Sequence, residues 1–211
     1  MSSVSENRPS SSPKFIFVGE HPAIDFANTI ATPHGQLEDF LGSWPDLVQW
    51  FSEAGLSQDP SLNLPVLRGT EALKSVFKLR EAWIAMLTRL IAGDKVTDEF
   101  LGSLNSLLAE DLFYETLQRD GKKGFQCLRS ASQLHGVKLG LAILARQIAD
   151  FLATANLHHL HRCANTTTCS LYFYDTTKNH RRQWCSVAAC GNRHKVAEFR
   201  KRQAKAMSLP R

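Results

Sequence analysis

Four of the five cysteines lie in two pairs, Cys163-x5-Cys169 and Cys185-x4-Cys190, with fifteen residues between the pairs. Two short loops that each offer two thiolates can close a tetrahedral shell around zinc, the arrangement of structural zinc sites. A disulfide framework requires an oxidising compartment, and nothing in the sequence suggests secretion. An iron–sulfur cluster also takes four thiolates, but two symmetric pairs around a hairpin suit a closed zinc site better. One structural Zn2+ on Cys163, Cys169, Cys185 and Cys190 is the expected centre. Cys127 stands apart in a strand-like stretch and is expected to be a buried thiol.

The second chemistry in this region is that of a polyanion ligand. From His161 to Arg211 there are eleven Lys/Arg against Asp175 and Glu198, a net +9, while the preceding 160 residues carry a net −4. Such asymmetry points to a basic module on a neutral or acidic body. Arg181 and Arg182 precede the second cysteine pair, and Arg193, Lys195, Arg200, Lys201, Arg202 and Lys205 follow it. Lysine and arginine on a rigid helix neutralise DNA phosphates, and Asn192 and Arg193 have the donors and acceptors for base edges. Two structural roles compete: Asn192 buttressing the cysteine loop, and Arg193 pairing with Asp175. His158, His159 and His161 would strengthen anion binding when protonated, since four cysteines already fill the metal shell.

The elements that must position these residues are legible around them. Leu171–Tyr174 reads as a strand, 175–179 as a turn, and Arg181–Trp184 as the return strand of a hairpin. After Gly191 a helix is predicted through Met207, with Val196, Phe199 and Gln203 as its inward stripe. Knuckle, hairpin and helix in that order describe a treble clef.

The remainder reads as a mostly helical body. Residues 1–13 are Ser/Pro-rich and expected to be disordered. Residues 14–18 read as a strand closed by Gly19. Helices are predicted at 23–29, from Ser43 to Gly55, at 70–92, from Thr97 to 109 and at 132–155, with a polar loop at 57–65. A hairpin pairs 113–118 with 125–129. Asp25 and Asn28 are candidates for lining a small-molecule pocket, although satisfying backbone groups at a helix end is their commoner work. Arg80 either grips an anion in a cavity or, the safer reading, pairs with Glu81. Trp44 and Trp50 are expected in the core rather than on a planar ligand. No segment approaches a membrane span or a signal peptide, so a cytoplasmic protein is expected. No phosphate-binding glycine loop, nucleophile elbow or HExxH motif is present.

Trp184-Cys185 followed by Cys190-Gly191-Asn192-Arg193 and Lys195, with Phe173, Asp175 and Arg182, resembles the CGNR zinc finger family. Gly19, Asp25, Phe26, Asn28 and Thr29, with Leu79-Arg80-Glu81, are similar to the ABATE-type domain that precedes this finger in such proteins. The family usually has four residues, not five, between its first two cysteines; the extra residue can bulge outward without moving either thiolate. The resemblance implies a bacterial, stress-induced transcription regulator.

Together these readings give a mainly α protein. Residues 14–157 form a multihelical ABATE-like domain with a short strand and a β-hairpin, and residues 158–211 a small treble-clef-like finger. The expected function is zinc-dependent DNA binding by the finger, with the body dimerising or sensing a small-molecule effector. An RNA- or protein-binding zinc module is the alternative. A metal-dependent nuclease, using residue types such as His180, Asn192 and His194, is the less favoured one because no carboxylate cluster offers a second metal position. The protein is expected not to be an enzyme.

Overall fold

The computed structural model describes residues 15–33, 35–56, 73–110, 115–121, 124–129 and 134–207. The expected tail at 1–13 and the loop at 57–65 lie outside them, as do the first residues assigned to the helices at 70 and 132 and to the strand at 113. Within the described residues the protein is mainly helical, with three two-stranded antiparallel sheets.

The body is built from helices that sequence punctuation starts and stops. Helix α1, Pro22–Ala27, begins at His21, whose Nδ1 accepts the Ala23 N–H at 3.1 Å, and proline supplies the first helical position. Helix α2, Trp44–Glu53, is capped by the Ser43 hydroxyl and halts before Gly55, whose φ of +68° an L side chain would resist. Helices α3 (Lys74–Ile91), α4 (Asp98–Glu110) and α5 (Gly136–Thr154) follow. The periodic apolar residues of α3 and α5 meet in one core: Val76, Trp83, Leu87, Leu144, Ile148 and Phe151 are essentially inaccessible. Trp44 and Trp50 join that core, and α5 approaches α2 at Gly140, where a Cβ would stand 3.0 Å from the Trp44 ring. Helix α4 is the loosest, burying only Phe100 and Leu104.

Strands β1 (Ile30–Ala31) and β2 (Glu38–Asp39) form a small hairpin after α1. Strands β3 (Glu115–Asp120) and β4 (Gly124–Arg129) form a longer one, with Leu117 opposite Cys127. Leu117 and Phe125 are exposed, and so is Cys127, contrary to the buried thiol expected: no other element covers this hairpin among the described residues.

Three further expectations change. Residues 15–18 are not a strand. They carry no ladder among the described residues, and instead bury Phe15 in the main core and lay Ile16 and Val18 on a second, smaller core around the cysteines. Next, the finger hairpin does not lie between the cysteine pairs. Strand β6, Tyr172–Tyr174, pairs with β5, Leu160–Arg162, which precedes Cys163. Residues 181–184 form no ladder, and Gln183 contributes its carbonyl to the Ala164 N–H at 2.9 Å. Finally, helix α6, Asn192–Met207, has no inward stripe: Val196 is 49% and Phe199 56% exposed. A helix turned toward the core would have hidden both.

Candidate metal centre and nucleic-acid interface

Antiparallel pairing of β5 with β6 brings the first cysteine loop to the end of a two-stranded ribbon. Cys163 follows β5 directly, donating its N–H to the Leu171 carbonyl at 2.9 Å, and Cys169 sits three residues before β6. Of the second pair, Cys185 lies just before a π-helical turn, Val187–Gly191, and Cys190 within it; the turn runs into α6 and is capped by the Ser186 hydroxyl. The turn holds the Cys190 sulfur 3.6 Å from that of Cys185. Gly191 packs under Trp184, where a Cβ would meet the indole at 3.2 Å.

All four cysteines are buried, and their sulfurs lie within 4.8 Å of one another. Zn–S bonds of about 2.3 Å in a tetrahedron place sulfurs about 3.8 Å apart. Cys169 and Cys185 stand 3.7 Å apart and Cys185 and Cys190 3.6 Å, close to that edge and far beyond a disulfide of about 2.05 Å. Hydrogen bonding to Cys163 pushes the Cys169 thiol up to about 12 and Cys185 in the same direction, whereas the bonds from Cys169 and Cys185 pull Cys163 down. Four thiolates at this spacing therefore require a compensating cation. The residues fit a single structural zinc, as expected from spacing. Among the described residues no other cluster of His, Cys, Asp or Glu could hold an ion.

Groups around the sulfurs set their positions. The Arg193 guanidinium donates to the Cys190 sulfur at 3.6 Å and to the Pro33 carbonyl at 2.9 Å, tying the start of α6 to the body. Arg182 lies over the Phe173 ring and donates to the carbonyls of Val18, Trp184 and Cys185 and to Glu20 Oε1 at 2.9 Å. These two cations also offset the excess negative charge of a four-thiolate site. Asn192 donates to the Ala188 carbonyl at 3.0 Å, within the loop between the second cysteine pair. Arg193 is not paired with Asp175. That carboxylate is fully buried and accepts from the Thr177 N–H and hydroxyl and the Arg182 N–H. Burial alone would raise its pKa, but these bonds bring it down to about 2.

Arg181, Lys195, Arg200, Lys201 and Arg202 point outward and are exposed. Lys201 pairs with Glu198 at 3.0 Å, and Lys205 continues the backbone of α6. His159 was expected to aid anion binding when protonated, and its surroundings disfavour that charge. Its ring stacks on His180 with centroids 3.6 Å apart, and desolvation followed by the nearby His180 lowers its pKa.

The residues proposed for a ligand pocket are not brought together in one. Asp25 is capped by the Gly19 N–H at 2.7 Å, the backbone role weighed for it. Asn28 exchanges two 2.9 Å hydrogen bonds with the Tyr172 backbone, docking β6 on the body. Arg80 pairs bidentately with Asp39, at 2.8 and 2.5 Å, and bonds Thr29; Glu81 is exposed, so the expected pair between neighbours on α3 is absent. Asp39 was missed because its β2 position depends on a hairpin only two residues long. A separate open cleft of about 750 Å3 lies between α3, α4 and α5, floored by Leu79, Met86, Phe100 and Leu104.

Comparison with known families agrees with this geometry. The CGNR zinc finger family model matches residues 159–203, and the ABATE model, described as "Putative stress-induced transcription regulator", matches residues 20–155. No curated protein matches the chain.

Proposed function

From the premise that the chain belongs to the ABATE family and carries a CGNR zinc finger, we propose that it is a zinc-dependent, DNA-binding transcription regulator. The observation that carries this reading is the exposed, basic α6 rooted in the metal centre: its first turn follows Cys190, and Arg193 fastens it to Pro33. Arg181, Lys195, Arg200, Arg202 and Lys205 are the phosphate contacts, and Lys201, paired with Glu198, adds to the positive field around them. Arg182, Asn192 and Arg193, engaged internally, position them. The body, residues 14–157, dimerises or senses a small effector, for which the cleft between α3, α4 and α5 offers space; residues 158–211 are the finger. A single finger has a small footprint, so specificity benefits from two half-sites. The families are a regulator and a zinc finger rather than enzymes, and among the described residues no helix is long and apolar enough to cross a membrane. The protein works in the cytoplasm on this reading.

Selection of genomic fragments by the purified, zinc-loaded protein at near-physiological salt, with RNA as competitor, tests the proposal. One recurrent motif is the expected result. Uniform recovery, or loss of DNA to RNA, would replace it with a non-specific polyanion binder.

A further inference from the structure

Helix α6 carries an apolar stripe that nothing in the described chain covers. Val196 and Phe199, three residues apart, share one face and are half exposed, and Gln203 extends it by one turn. Val187, 61% exposed, lies in the turn that leads into the helix. Cations border the stripe on both sides. At 100° per residue Lys195 and Arg202 lie on one flank and Arg200 on the other. Lys201 is on the back of the helix with its partner Glu198.

This distribution constrains what can cover the stripe. A second α6 laid against it would bring like charges together along both flanks. A DNA major groove, about 12 Å wide, admits one helix, has phosphates on both walls and presents thymine methyl groups on its floor. Resting on the DNA-binding reading above, we propose that α6 enters the major groove stripe first. Val196 and Phe199 pack against thymine 5-methyl groups, while Lys195 and Arg202 grip one phosphate wall and Arg200 the other. The finger then prefers thymine-containing sites through apolar contact, and its metal-anchored first turn sets the depth of entry.

The test compares the full-length, zinc-loaded protein on alternating poly(dA-dT) and poly(dA-dU) duplexes, which differ only in the 5-methyl group. Wild type is expected to bind the uracil duplex about fourfold more weakly for each thymine methyl removed from the interface, the worth of one buried methyl. Phe199→Ala should bind the thymine duplex more weakly and lose the discrimination, with zinc content and salt dependence unchanged. Salt-dependent binding of equal strength to both duplexes, unaffected by Phe199→Ala, would overturn the inference and leave DNA binding standing. Failure to bind either duplex would remove both. Conversion of a dimer to a monomer by Phe199→Ala would make the stripe a self-association surface. Phe199-dependent adsorption to vesicles of anionic phospholipid would assign it to a bilayer instead; either result overturns the groove contact.

Discussion

Asp25, 7% exposed beneath Gly19, has its pKa raised by burial from 3.8 to about 6 despite the N–H groups of Gly19 and Val18 that favour its charge. A folded-state pKa above the unfolded one means that its stability contribution is full below about pH 4 and is lost as pH rises through about 6. Asp25→Asn keeps an oxygen for the Gly19 N–H and cannot ionise. Urea denaturation should show the wild type losing up to about 3 kcal/mol from this group between pH 4 and 7, and the variant lacking that slope. Asn28 has a different task. Its amide satisfies both backbone groups of Tyr172, and Asn28→Ala would leave a buried N–H and carbonyl unpaired. The expected cost is about 2–4 kcal/mol by denaturant unfolding, with one zinc still bound, because the Asn28 side chain bonds Tyr172 and not a cysteine.

At the scale of elements, the metal substitutes for the core that so short a finger lacks. Among the described residues, only Ala31, Leu171 and Phe173 join the four cysteines in its buried cluster. Zinc binding is therefore much of the folding free energy of the 163–207 region. Cys190→Ser should abolish stoichiometric zinc retention and reduce helical circular dichroism by about the share of α6; retention of zinc with full helicity would reject the four-cysteine site. Within α6, Arg200→Ala combined with Arg202→Ala should lower the slope of log K against log salt by about one to two while leaving zinc content intact. An unchanged slope would move the phosphate contacts to other residues. Both arginines are exposed, so loss of fold is not the expected cause of any change.

At the scale of the molecule, finger and body are mechanically joined. Leu160 and Tyr172 belong to the main core, Tyr174 packs against it, and the Tyr174 N–H bonds the Gly19 carbonyl at 3.0 Å. Arg182 and Glu20 add an ion pair across the same seam. Removing zinc should therefore loosen more than the finger. Chelation is expected to lower the melting temperature of the body, followed by near-ultraviolet signals of the buried Trp50 and Trp83, rather than leave it unchanged. A body transition insensitive to chelation would show that β5 and β6 hold their place without the metal. Through this seam, a change in the body can reach α6.

Helices with strong punctuation and the four-cysteine set were legible in the sequence because their determinants are local. Ser43 caps α2 with its own hydroxyl, apolar residues on α3 recur at helical spacing, and two cysteine pairs close one metal shell. What the sequence could not decide was partnership between distant segments. The ladder partner of β6 proved to be β5, and Arg80 found Asp39, 41 residues away, rather than its neighbour Glu81. The chemistry of Arg182, Arg193 and Asn28 was equally ambiguous, since a guanidinium serves a phosphate or a carbonyl equally well. Only the tertiary structure brings Val18, Glu20 and Pro33 to those arginines and Tyr172 to that amide, while leaving the Val196–Phe199 stripe uncovered. A hydrogen bond or an apolar contact depends on which surfaces meet, and that is set by the packing of the whole chain.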